Sequence, residues 1–141
     1  KREELTTEGG LNLEHNPQQI QKVIQSLQEH NIQVSLFIEP DIKQVKQAKK
    51  MNANAIELHT GHYAILSDPQ PELEKLKKAT KYAITLGLQV NAGHGLNMDN
   101  VTPITDIEGI DELNIGHSLI SDALFIGLGQ AIKNIKIKIN A

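Results

Sequence analysis

Apolar residues along this chain follow two alternating rhythms, and the alternation predicts the fold. Ile20, Val23, Ile24 and Leu27 recur at i, i+3, i+4, i+7 and predict a helix. Asn16-Pro17 marks its start, a capping residue followed by proline at the first helical position. Gln33 to Ile38 is a short β-rich run, closed by Pro40-Asp41, which opens a second helix with Ile42, Val45 and Ala48 on one side. Ala55 to His59 reads as the next strand. After a loop punctuated by Pro69 and Pro71, Leu73, Leu76, Thr80, Ala83 and Ile84 predict a third helix, with Gly87 just beyond its end. Leu88 to Asn91 is again strand-like, and Asn97 to Ile107 is a loop with room for a short helix. Glu112 to Ile115 is the last strand, and Ile120, Ala123, Leu124, Gly127, Ala131 and Ile135 define one final helix.

Strict strand–helix alternation with short connections implies an α/β fold, a parallel sheet covered by helices. No GxGxxG fingerprint follows any of the strands, which disfavours a dinucleotide-binding sheet. Polar residues gather instead at the C-terminal ends of successive strands, at Glu39, His59, His94 and His117. That rim carries the chemistry of TIM (β/α)8 barrels. Four strands are half of such a barrel. Residues 1–141 are therefore expected to form a single domain, the second half of a TIM barrel, with open edges that need a partner.

Composition narrows the function. The 141 residues carry a net charge of −3, with basic residues dispersed except for Lys133, Lys136 and Lys138, so no nucleic-acid-binding face is expected. There is no cysteine, hence no disulfide framework and no thiolate chemistry. No apolar run reaches membrane-spanning length and no signal peptide is visible, so a soluble cytoplasmic protein is expected. The chain begins Lys-Arg-Glu-Glu without Met and enters a loop-like stretch at once, which reads as a cut inside a larger protein.

The best clue to chemistry is a pair of glycine–histidine turns, Gly93-His94-Gly95 and Gly116-His117, each placed between a strand and a helical stretch. Glycine there lets the backbone approach a ligand, and the start of a helix offers unpaired N–H groups to an anion. The His94 ring has room to reach a ligand and can move protons both ways near neutral pH. The competing reading is a turn histidine bonded to backbone. Glu57 and His59 lie two apart on a strand and point to one face, the barrel interior if Ile56 and Leu58 pack outward. A carboxylate there is costly unless it is paired or used, so Glu57 is either catalytic or satisfied by a basic neighbour. His59 and His62 with Glu57 suggest a metal site, although the spacing matches no zinc signature. His15 and His30 read as surface residues. Thr6-Thr7-Glu8-Gly9-Gly10 is either a further phosphate or hydroxyl contact or a plain loop.

Five segments together carry a family resemblance: Lys1 to Leu11 (KREELTTEGGL), Gln33 to Ile38 (QVSLFI), Ile56 to Gly61 (IELHTG), Val90 to Leu96 (VNAGHGL) and Glu112 to His117 (ELNIGH). In this order they resemble the pyridoxine 5′-phosphate synthases of the deoxyxylulose-dependent vitamin B6 pathway. The resemblance implies a TIM barrel that condenses 1-deoxy-D-xylulose 5-phosphate with 3-amino-2-oxopropyl phosphate, giving pyridoxine 5′-phosphate, phosphate and water. It implies no metal or organic cofactor, and an oligomer built from dimers. By position it makes His94 the catalytic proton donor and acceptor late in ring closure, and Glu57 a carboxylate supporting the transition state. It makes Thr6 a contact to the deoxyxylulose phosphate, and Gly95, Gly116 and His117 the site of the aminoketone phosphate. The family's Asp-His pair, second catalytic histidine, catalytic glutamate and substrate-binding arginines have no counterpart in this sequence, so the chain alone is expected to be inactive.

Two other classes compete. One is a metal-dependent TIM-barrel lyase or hydrolase using Glu57, His59 and His94. The other is a non-catalytic phosphate-binding half barrel that pairs its open edges with a second copy.

Overall fold

The computed structural model describes residues 9–140. Helix α1 (Pro17–Glu29) leads into β1 (Ser35–Ile38), followed by α2 (Ile42–Lys50) and β2 (Ala55–His59). A short α3 (Gly61–Ile65) and the long α4 (Gln70–Thr85) precede β3 (Gln89–Gly93). Then come α5 (Thr102–Thr105), β4 (Glu112–Asn114), α6 (His117–Ile126) and α7 (Leu128–Ile139). The strands form one parallel sheet in the order β1-β2-β3-β4. This is the α/β class expected, and its four strands in sequence order match half of a TIM barrel.

The two faces of the sheet differ in polarity. Leu36, Ile38, Ile56, Leu58, Val90 and Ala92 are buried on the face that packs on the helices. The opposite face carries a row in register across all four strands, Phe37, Glu57, Asn91 and Glu112. Parallel strands buried on both faces read as continuous apolar runs. Here the second face is polar, as the lining of a barrel end that holds a ligand would be.

Local signals place the helices. The Asp41 carboxylate accepts the Lys43 amide at 2.6 Å and caps α2. Gly87, at φ 69°, ends α4: its N–H reaches the Ile84 carbonyl and that of Leu88 reaches Ala83, the paired bonds of a Schellman turn. Val45, Ala48, Leu73, Leu76, Ala79 and Ala83 bury the inner stripes of α2 and α4.

Three expectations need correction. Asn16 does not cap α1 with its side chain; it sits in the left-handed region at φ 56° and only its carbonyl serves the first turn. Val23, Ile42 and Ile84 are exposed rather than core, because each lies at the margin of its apolar stripe. The single final helix is two helices, broken at Gly127 (φ 82°, ψ 146°). Only the second turns its apolar residues inward, burying Ala131 and Ile135, while α6 buries none. The α3 turn was not anticipated at all.

Leu58 is fully buried between sheet and helices. Leu58→Ala should lower unfolding free energy by about 2–5 kcal/mol. Urea denaturation checks this; a loss below about 1 kcal/mol would contradict the packing described.

Candidate active site

The C-terminal ends of β1, β2 and β3 bring together most of the residues singled out from the sequence. Glu57 and His59 project to the polar face, as their spacing required. Glu57 is half-buried, and burial pushes its carboxyl above the ordinary 4.5, against a hydrogen bond from the Asn114 side chain and the charge of His59. Its close neighbours are therefore an amide and an imidazole. Gly93 makes this approach feasible, since a Cβ there would lie 2.5 Å from Glu57 Oε1 and 2.8 Å from the Asn114 carbonyl.

The Gly93-His94-Gly95 turn is built under constraint. His94 itself has φ 87° and Gly95 φ 74°. A non-glycine residue in that region stores roughly 1–3 kcal/mol of strain, and such strain clusters at functional sites. The turn is held by its surroundings. Thr60 donates its hydroxyl to the His94 carbonyl at 2.6 Å and its amide to the Gly93 carbonyl at 2.8 Å. The Asn100 amide donates to the Gly95 carbonyl at 3.1 Å. At Gly95 a Cβ would come within 2.7 Å of Ala64 Cβ. The His94 carbonyl thus anchors the turn, and its ring lies 4.9 Å from the ring of His59.

His59 is buried and pairs with Glu39, Nδ1 to Oε1 at 2.7 Å. Burial alone would raise the Glu39 carboxyl, but the His59 hydrogen bond, the Gly10 amide and the nearby imidazoles outweigh it and hold it below 4.5. Gly10 crosses tightly over the end of β1; a Cβ there would meet the backbone of Glu39 and Ile38 at 2.5 and 2.6 Å. Glu39, His59 and His62 bring one ligand atom each within 4.8 Å of one another, a grouping able to hold a metal ion. The carboxylate in that grouping is Glu39, not Glu57 as the sequence suggested. His62 reaches it from α3 and is exposed.

Gly116 caps α6 and His117 is its first residue, both exposed, with no side chain capping the first-turn amides. Ser118 donates its hydroxyl to the Leu96 carbonyl at 2.6 Å, tying the start of α6 to the His94 turn. Thr6 lies outside the described residues. His15 and His30 are exposed, as expected. Sequence reasoning missed Thr60, Asn100, Asn114 and Ser118. Small polar residues are common in loops, and only the fold shows which carbonyl or carboxylate each one serves.

Two outcomes follow from this geometry. His94→Gly should raise stability by about 1 kcal/mol by releasing the positive-φ strain, measured by thermal melting; a clear loss of stability would show that the ring is structural. Raising the Glu57 carboxyl on folding means that its contribution is favourable at acid pH and is lost as pH rises through the raised value. Glu57→Gln should therefore melt at or above the parent protein at about pH 7, with the difference shrinking toward about pH 4. A variant less stable at neutral pH than at acid pH, relative to the parent, would refute this.

Comparison with known proteins places the chain in a family. The family described as pyridoxal phosphate biosynthesis protein PdxJ matches residues 1–141. The pyridoxine 5′-phosphate synthase of a Cyanothece species is 47% identical over 139 residues, covering 96% of this chain and 58% of the relative. That of Prochlorococcus marinus is 50% identical over 138 residues, covering 96% and 56%. That of Geotalea daltonii is 49% identical over 137 residues, covering 95% and 57%. The chain thus spans somewhat more than half the length of the curated relatives it matches. With the whole of its length matched, the chain belongs to the pyridoxal phosphate biosynthesis protein PdxJ family.

Proposed function

We propose that this chain supplies the C-terminal part of a pyridoxine 5′-phosphate synthase active site. The reaction is condensation of 1-deoxy-D-xylulose 5-phosphate with 3-amino-2-oxopropyl phosphate to pyridoxine 5′-phosphate, phosphate and water. The observation that carries the reading is the meeting of Glu57 and the strained His94 turn at the ends of β2 and β3, in a chain about half identical to named synthases.

Each residue has a role that its setting supports. Schiff-base formation, dehydration and ring closure all move protons between oxygen, nitrogen and carbon. His94, held at a rigid turn with its ring toward the site, gives and takes the proton late in closure. Glu57, with its carboxyl raised by burial, stabilises positive charge when ionised and donates when protonated. Gly95, Gly116 and the backbone of His117 receive the aminoketone phosphate, with the glycine turn and the first turn of α6 offering amides to the anion. Thr6 contacts the deoxyxylulose phosphate. Holding both reactants by their phosphates makes closure effectively intramolecular.

The remaining catalytic groups, an Asp-His pair, a histidine, a glutamate and arginines, belong to the rest of the barrel. The polar face of the sheet and the apolar exposure of α6, where Leu124 and Phe125 are 81% and 86% exposed, support an assembly in which both are covered. We place the enzyme in the cytoplasm as a homo-oligomer. Among the described residues no helix is long and apolar enough to cross a membrane.

The metal-dependent reading has one observation behind it, the Glu39, His59 and His62 grouping. Elemental analysis of the purified protein separates the two.

In the complete enzyme carrying this sequence, His94→Ala should lower turnover by about 10²–10⁴-fold and leave the affinity for a phosphate ligand within a few-fold. Steady-state kinetics and ligand titration check both halves, and turnover near the parent's would sink the assignment.

A further inference from the structure

The Glu39–His59 pair has no part in the catalytic and substrate-binding roles assigned above, yet it is a short, part-buried contact between two side chains of the site. His59 is only 6% exposed. Its Nδ1 lies 2.7 Å from a Glu39 oxygen. An ionised carboxylate only accepts, so Nδ1 carries the proton and donates. A neutral ring so arranged leaves Nε2 bare, an acceptor. That nitrogen is buried and has no hydrogen-bond partner among the described residues.

Its surroundings are aromatic rings and one glycine. Phe37 packs edge-on against the His59 ring at 5.2 Å, and His62 packs edge-on at 5.9 Å. Nε2 itself faces Gly61, where a Cβ would overlap it and would also lie 2.8 Å from His94 Cδ2. Gly61, having no side chain, lets the two rings sit with centroids 4.9 Å apart and its own backbone close to Nε2. A buried acceptor without a donor is costly, and native proteins retain such atoms chiefly where a ligand or water completes them.

We propose that His59 is a further ligand-binding residue of this site: locked by Glu39, it offers Nε2 to a hydroxyl or amino group of the bound substrate and holds that group beside His94. Glu39 is then a positioning residue that acts through His59. The assignment of ligand class rests on the synthase reading, since both proposed substrates carry such donors close to the atoms that react. The arrangement also explains why α3 begins with glycine: a side chain at Gly61 would strike Nε2 of His59 and the His94 ring.

Histidine-selective ¹⁵N NMR of the complete enzyme carrying this sequence, at mildly alkaline pH, tests the arrangement directly. The expected spectrum has His59 protonated at Nδ1 and bare at Nε2, and Glu39→Leu moves the proton to Nε2. A parent protein with the proton on Nε2 overturns the proposal, and so does Zn²⁺ titration that binds stoichiometrically through His59. Kinetics supply the second arm. His59→Phe keeps the ring packing but offers no acceptor, and should lower kcat/KM by roughly tenfold to a hundredfold. His59→Gln, whose amide oxygen reaches about as far as Nε2, should recover part of that loss. Equal activity in the two folded variants overturns the binding role. If the parent enzyme shows no synthase turnover, the functional reading fails, while the NMR result still decides the Glu39–His59 arrangement.

Discussion

Everything in this chain depends on a parallel sheet whose two faces are unlike. Helices α2 and α4 cover the apolar face, where Ile56, Leu58 and Val90 are fully buried. A strand's side chains alternate, so burying that row forces Phe37, Glu57 and His59 to the other side. A slip of one residue in β2 would bury a carboxylate and an imidazole under the helices and expose Ile56 and Leu58. The hydrophobic core therefore sets the register, and the register aims the site. Core and chemistry occupy the same five residues of β2, read on alternate positions.

At the ends of the strands, local stability is set aside for geometry. His94 adopts a backbone conformation that glycine would take with less strain, and Glu57 keeps a carboxylate where burial disfavours its charge. Gly61, Gly93 and Gly95 each leave out a side chain that would strike a neighbour in the cluster. Thr60, Asn100 and Ser118 meanwhile bond the carbonyls of the same turn. Strained residues persist only where the surroundings over-determine them. Here the bracing comes from the residue before α3, from the loop before α5 and from the first turn of α6, so three separate segments hold the turn that carries His94.

The same sheet is incomplete as a barrel. A polar inner face with Glu112 and Asn114 exposed on β4, and a helix α6 that buries none of its apolar residues, are the two sides of one fact. Both are consistent with a four-stranded half of a barrel of the TIM type. Gly127 separates the problem neatly. It breaks the last helical stretch so that α7 returns to the core through Ala131 and Ile135, while α6 stays outside it.

Much of this was legible in the amino acids alone, for definite reasons. Periodicity located the strands and most helices, because burial at spacing 2 or 3.6 leaves a direct trace in residue order. The Glu57–His59 pairing on one face followed from that spacing, and Asp41 and Gly87 ended or began helices through chemistry confined to a few neighbours. What was not legible involves partners distant in sequence. Glu39 rather than Glu57 meets His59 because β1 lies beside β2, and Asn114 reaches Glu57 from two strands away. The break at Gly127 and the positive φ of His94 were also hidden, since a glycine or histidine symbol does not state its backbone angle. Sequence by itself determined which residues are apolar, where chain direction changes and which side of each strand is chemical, all properties of local order. Tertiary structure alone decided which polar groups touch, because hydrogen bonds at 2.6–2.7 Å are made between strands and turns that only folding brings together.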